Sequence, residues 1–330
     1  MILAGIDEAG YGPLLGPLVV GCCAFELDAP AGQTLPCLWT RLKKSVSKNR
    51  SKTGRKLHIN DSKQVYSPSV GLKELERSVL AVAATLGSWP TDLNHFLQLT
   101  AAEAIADLAE HGWYDPDAAE PFPLEQDTAT VRVLANGLRA DMQRTATRCV
   151  HLNARVIPER QYNRMVDATR NKASVLFSIA AMHLDHLLKN FGDRGLVIFC
   201  DRQGGRSSYG SLLRLMFEDW SLQVVSETDG HSEYLLCKNR SPNHPADHPP
   251  VRILFREKAE AQCLPVAMAS MLSKYLRESL MRRFNSFWQA HLPQLVPTAG
   301  YYNDGLRFLS DIQAKRIELG IEDAVLIRSR

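Results

Sequence analysis

Apolar residues gather in short runs bounded by breakers. The first run, Ile-Leu-Ala-Gly-Ile over 2–6, reads as a strand. A Gly/Pro-rich stretch over 9–17 separates it from a second run, Leu-Val-Val-Gly-Cys-Cys-Ala-Phe over 18–25. Two apolar strands joined by a turn predict an N-terminal hairpin. Ser67-Pro68 offers a cap and a first-turn proline, predicting a helix with Leu72, Leu75, Val79, Val82 and Leu86 on one face. Another helix is predicted over about 172–189, with Leu176, Ala180, Leu184 and Leu187 in register. It leads to a continuous apolar strand, Leu196-Val197-Ile198-Phe199-Cys200, and later to a long helix over 265–290. Paired strands first and alternating helices and strands afterwards predict an α/β fold, a mixed central sheet flanked by helices. No Gly-x-Gly-x-x-Gly or Walker sequence follows any of these strands, so a nucleotide-binding Rossmann reading is set aside.

The composition suits a globular protein: 330 residues, 45% hydrophobic and 23% charged. No apolar run approaches the roughly 18 residues of a membrane span, and the N-terminus, with two acids by residue 8, is unlike a signal peptide. Seven cysteines without a Cys-x-x-Cys pair read as buried thiols, and the expected location is cytoplasmic. The formal net charge of +3 says less than its distribution. Between 41 and 60 there are eight Lys or Arg and no acid, a run suited either to a polyanion or to a solvated loop. The acid- and proline-rich stretch 115–127 reads as an exposed loop without chemistry of its own. His231, His244 and His248 lie in or beside the proline-rich 239–250, but their spacing is a weak zinc signal.

Acids at strand ends carry the chemistry. The first strand stops at Asp7-Glu8, whose mutual repulsion a hard divalent cation would relieve; a capping Asp7 beside a solvated Glu8 is the plainer alternative. The 196–200 strand likewise ends at Asp201, and open sheets place their chemistry at strand ends. Glu278 lies on the long helix one turn after Lys274, which an i, i+4 ion pair would explain without any catalytic role.

The residues around these acids resemble a known family. Ile-Asp-Glu-Ala-Gly-Tyr-Gly-Pro-Leu-Leu-Gly-Pro-Leu-Val-Val (6–20) is similar to the opening signature of ribonuclease HII, the type 2 ribonucleases H. Asn60-Asp61-Ser62-Lys63-Gln64-Val65 resembles that family's Asp-Ser-Lys-Lys-Leu segment, and Phe199-Cys200-Asp201 its strand ending in Asp. Lys258-Ala259-Glu260-Ala261 and Val266 to Glu278 line up with its Lys-Ala-Asp and Ser-Ala-Ala-Ser-Ile-Leu-Ala-Lys-Val-x-Arg-Asp block. Four blocks in the same order span most of the chain.

The resemblance implies a ribonuclease H-like fold and four metal-binding acids at Asp7, Glu8, Asp201 and Glu278. It implies a hydrolase, an endonuclease that cuts RNA in RNA–DNA hybrids or at ribonucleotides embedded in duplex DNA. Two Mg²⁺ or Mn²⁺ ions would assist, leaving a 3′-hydroxyl. Backbone groups of Gly10-Tyr11-Gly12 would read the 2′-hydroxyl, Ser62 and Lys63 would hold backbone phosphates, and Tyr301 would pack on the sugar beside the cut. A monomer is expected.

The chain departs from the pattern in three ways. It is longer, with the surplus over about 28–58, 87–155 and 226–252 of what is read as a single domain. Tyr11 stands where the family has Arg, and Glu260 and Glu278 stand where it has Asp, each one methylene longer. Two alternatives therefore stay open: a weakly active or inactive paralogue that binds hybrid or structured nucleic acid, and a nuclease of the same fold acting on branched DNA.

Overall fold

The computed structural model describes residues 1–29, 35–115, 120–239 and 249–329. Seven strands build one mixed sheet: β1 (Ile2–Ala9), β2 (Leu18–Leu27), β3 (Thr147–Ile157), β4 (Leu196–Asp201), β5 (Trp220–Thr228), β6 (His231–Lys238) and β7 (Val251–Arg256), in the order β3-β2-β1-β4-β7-β6-β5. β1 and β2 form the expected antiparallel hairpin, Ile2 opposite Glu26 and Ala9 opposite Val19. β1, β4 and β7 run parallel at the centre, Ile6 opposite Cys200 and Cys200 opposite Phe255. Antiparallel pairs complete both edges. The segments read as insertions reach into this sheet, since 87–155 contains most of β3 and 226–252 contains β6.

The helices that matter to the site are α1 (Ser62–Val65), α2 (Lys73–Ala84), α3 (Thr128–Arg144), α4 (Lys172–Phe191), α5 (Leu264–His291) and α6 (Tyr302–Glu318). α4 covers one face of the sheet, seating Leu176, Ile179, Ala180, Leu184 and Leu187 on Ile2, Ala4, Val20 and Ala24. α5 covers the other face with Val266, Met268, Met271, Leu272 and Leu276. Its first turn lies so close to β1 that a Cβ on Gly5 would overlap the Val266 backbone nitrogen. Among the described residues no helix is long and apolar enough to cross a membrane.

Several expectations change in detail. The helix predicted from Ser67 begins at Lys73, and Leu86 is exposed beyond its end. The acidic stretch is not all surface: Glu120 Oε1 accepts from Arg283 Nε at 2.7 Å and Glu125 Oε2 from Leu72 N at 2.8 Å. Its residues 116–119, with Pro116 and Asp117, lie outside the described residues, as do Pro242, His244, Pro245 and His248. His231 is held within the sheet, its Nδ1 accepting from Arg256 Nε at 3.1 Å. Five cysteines are buried, whereas Cys37 and Cys237 are exposed; none is disulfide-bonded.

Candidate active site

Three parallel strands end at one edge of the sheet and each delivers an acid there. Asp7 and Glu8 close β1, and Asp201 closes the adjoining β4. Beyond β7 the chain turns at Lys258, with φ +55, into a short 3-10 turn, Ala259–Ala261, that carries Glu260. That turn is pinned to the site because Ala259 N donates to Asp201 Oδ1 at 3.1 Å. Carboxyl ends of parallel strands are where α/β folds concentrate their chemistry.

The electrostatics of this corner are unfavourable without a cation. Burial pushes the Asp7 carboxyl well above its usual range, and Glu8 and Asp201 push it further. Glu8 is raised to about 7, by burial and then by Asp201, with Lys63 pulling in the other direction. Asp201 is raised by burial despite the Ala259 amide. Glu260 is raised to about 7, by burial and by the charges of Asp201 and Asp61. Asp201 and Glu260 stand close enough to share a proton, yet Glu260 Oε2 is buried without a donor. Carboxylates that repel one another in this way, all oxygen donors with one orphaned, suit a hard divalent cation such as Mg²⁺ or Mn²⁺. Among the described residues no three of their oxygens gather within 4.8 Å of one another, so a cation would have to draw the side chains inward.

α5 holds the corner from below. Ser273 Oγ donates to the Asp7 carbonyl at 3.1 Å, and Ser270 hydrogen-bonds the Asp7 side chain. Ser270 Oγ also reaches Ser62 Oγ at 3.0 Å. Ser62 is buried, which places it behind Asp7 as a support and out of reach of a bound strand. Lys63 is exposed at the start of α1, its charge felt by both Glu8 and Asp201. Asp61 caps α1 by accepting from Lys63 N at 3.0 Å.

Glu278 is engaged elsewhere. Its Oε1 accepts from Lys274 Nζ at 2.8 Å and Arg277 Nη1 at 3.0 Å, and its Oε2 from Tyr66 Oη at 2.9 Å. Burial alone would raise this carboxyl, but Lys274 and Arg277 together bring it below its usual value. It lies five residues past Ser273, about 7.5 Å farther along the helix axis. The structure thus brings together Asp7, Glu8 and Asp201 and adds Glu260, while Glu278 serves as the partner of the buried Arg277. Glu260 carries the same signal as the other acids, a carboxyl just past an apolar strand, but its place after two further polar residues and a turn obscures it.

The Gly10-Tyr11-Gly12 turn leaves β1 directly above the acids. Gly10 takes φ +86, and a Cβ there would come within 2.6 Å of Arg277 Nε and the Pro17 carbonyl. Arg328 donates to the carbonyls of Gly10 and Tyr11, fixing the turn from the far end of the chain. Gly12 is exposed with open space around it, and the Tyr11 hydroxyl approaches Gly204 in the loop after β4. Tyr301 is exposed under the Arg277 guanidinium, 5.8 Å from its ring centre, and Gly300 O accepts from Leu14 N at 2.8 Å. Lys48, from the basic run, stacks on Trp39 and donates to the Ala261 carbonyl at 2.6 Å, next to Glu260.

No protein-family model matches the chain. Over 60 residues it is 44% identical to a ribonuclease HII of Methanocaldococcus jannaschii, covering 18% of this chain and 25% of that protein. Over 85 residues it is 33% identical to a ribonuclease HII of Gluconobacter oxydans, covering 26% and 40% respectively. The matched segments therefore span well under half the length of these curated relatives. Among solved structures, the ribonuclease HII of Archaeoglobus fulgidus, determined in a complex with PCNA, aligns over 100% of this chain and 95% of that one, at 14% identity and a TM-score of 0.43. Together with the motifs in the sequence, the curated matches support a ribonuclease HII-like family for this chain.

Proposed function

We propose that the chain is a divalent-metal-dependent endonuclease of the ribonuclease H type. Its substrate would be RNA in an RNA–DNA hybrid, or a ribonucleotide embedded in duplex DNA. The observation that carries this reading is the set Asp7, Glu8, Asp201 and Glu260: four carboxyls from three parallel strand ends, with an orphaned oxygen among them. A pure nucleic-acid binder gains nothing from acids facing a phosphate.

These four would hold two Mg²⁺ or Mn²⁺ ions. Bound there, the ions would supply an activated hydroxide and neutralise charge at the leaving oxygen, giving a 3′-hydroxyl. The protein's own part is orientation. Ser270 and Ser273 fix Asp7, and the Ala259 amide fixes Asp201. Lys63 stands where it can bind a phosphate oxygen beside the acids. The pinned Gly10-Tyr11-Gly12 turn, open at Gly12, offers main-chain groups to a 2′-hydroxyl. Tyr301 offers an exposed ring for the neighbouring sugar.

The test is cleavage of labelled duplexes (RNA–DNA hybrid, DNA with one ribonucleotide, all-DNA) with and without Mg²⁺ or Mn²⁺. Metal-dependent cutting of either ribonucleotide-containing duplex, with all-DNA intact, is expected. Binding of hybrid without any metal-dependent product would establish the inactive-paralogue alternative instead.

A further inference from the structure

On the face of the sheet covered by α4, one thiol and two imidazoles meet. Cys22 projects from β2, His151 from the edge strand β3, and His183 from α4. Their sulfur and one nitrogen of each imidazole all lie within 4.8 Å of one another. Sequence separations of more than a hundred residues between Cys22 and either histidine make this a product of the fold, invisible as a motif. Around the three lie the aliphatic Val20, Ala24, Ile179 and Leu184, with the Arg155 guanidinium near enough for His183 and His186 to feel its charge. Within the protein His183 has the Val20 carbonyl and His151 the stacked ring of His186, which leaves one nitrogen of each imidazole to account for.

We infer that Cys22, His151 and His183 form a binding site for a zinc-class ion, which ties α4 to β2 and β3. The two imidazoles are held for that role, whereas burial favours the protonated Cys22 thiol, whose proton the ion must displace. His183 Nε2 lies 2.9 Å from the Val20 carbonyl, and a carbonyl only accepts, so Nε2 carries the proton and the lone pair is on Nδ1. A backbone carbonyl fixing the tautomer of a ligating histidine is the usual support in metal sites. His151 Nε2 is buried with no hydrogen-bond partner.

One sulfur and two imidazole nitrogens suit Zn²⁺ and exclude Mg²⁺ or Ca²⁺, which take oxygen ligands. The site is thus chemically separate from the carboxylate corner. Binding would displace the Cys22 thiol proton and form one Zn–S and two Zn–N bonds. No electron is transferred. His186, one turn beyond His183 and less buried, stacks on His151 with ring centres 4.4 Å apart.

The test uses the full chain, stripped with a chelator and kept in excess Mg²⁺ to occupy the carboxylates. Titration with Co²⁺ should produce thiolate-to-cobalt absorption in the near ultraviolet, saturating at about one equivalent and displaced by Zn²⁺. Cys22→Ser and His183→Asn should each lower bound metal to less than about a tenth of an equivalent, while Cys237→Ser keeps it. Zn²⁺ should also raise the melting temperature of the wild type and not of the two variants. Folded wild type that shows no thiolate absorption overturns the inference whatever the variants do. Absorption that persists in Cys22→Ser overturns it as well.

Discussion

At the residue scale, the acids at the sheet edge are held against their own repulsion. Glu8 and Glu260 are raised from 4.5 to about 7 in the folded protein, chiefly by burial. A carboxyl raised on folding favours the protonated state. Its stabilising effect is complete below about pH 4.5 and is lost as pH rises through about 7. The metal-free protein should therefore melt at lower temperature at pH 8 than at pH 5, and saturating Mg²⁺ should reduce that difference. Asp7→Asn removes one charge from the same corner. It should raise the stability of the metal-free protein by roughly 1 kcal/mol while cutting activity about 100-fold or more. A denaturation curve and a turnover assay on that variant check both halves. Asp7, Glu8 and Asp201 were legible as acids ending apolar runs. Glu260 is visible in the sequence as the lengthened acid of the Lys-Ala-Asp match, but only the fold shows that the turn after β7 swings back onto Asp201. By sequence Glu278 suits a metal site equally well, but three donors occupy its two oxygens. The i, i+4 pairing with Lys274 was visible in the spacing alone, but the Tyr66 and Arg277 contacts were not.

At the scale of elements, the site depends on how tightly α5 sits on β1. Gly5 permits the contact with Val266, and the Ser270 and Ser273 hydroxyls then meet Asp7. Gly5→Ala should displace that helix, costing about 3 kcal/mol in chemical denaturation and weakening Mg²⁺ binding in the same protein. The elements legible in the sequence were those with unbroken apolar runs or faces: β1, β2, β4, α4 and α5. β3 was hidden because polar Arg148, His151, Asn153 and Arg155 interrupt it, although it pairs with β2 along its length. α2 starts at Lys73, later than the Ser67-Pro68 cap predicts, for a long-range reason. Gly71 turns with φ +72, and the amide at Leu72 is capped by Glu125, 53 residues away. No local rule encodes a cap of that kind.

For the whole molecule, the basic 41–60 segment is neither a free loop nor an appendage. Arg41 Nε donates to the Thr145 carbonyl at 2.9 Å, and Lys48 reaches the turn that carries Glu260. Lys43, Lys44, Lys52 and Arg55 remain exposed on this segment, and Arg50 pairs with Glu74 at 3.5 Å; the exposed cations are the ones that would meet phosphates if a bound duplex crosses the segment. Replacing Lys43, Lys44 and Lys52 by Ala should weaken hybrid binding and lower the slope of log affinity against log salt by up to about 3, without preference for any base sequence. Equal slopes for the variant and the wild type would remove the segment from the interface. The most direct test of the site as a whole compares Glu260→Gln with Glu278→Gln in metal-dependent cleavage of an RNA–DNA hybrid and of a duplex with one ribonucleotide. The account predicts that Glu260→Gln loses cleavage by about 100-fold or more, whereas Glu278→Gln, though less stable, stays within about tenfold of wild type. The reverse ranking, with Glu260→Gln active and Glu278→Gln dead at a temperature where both are folded, would contradict it.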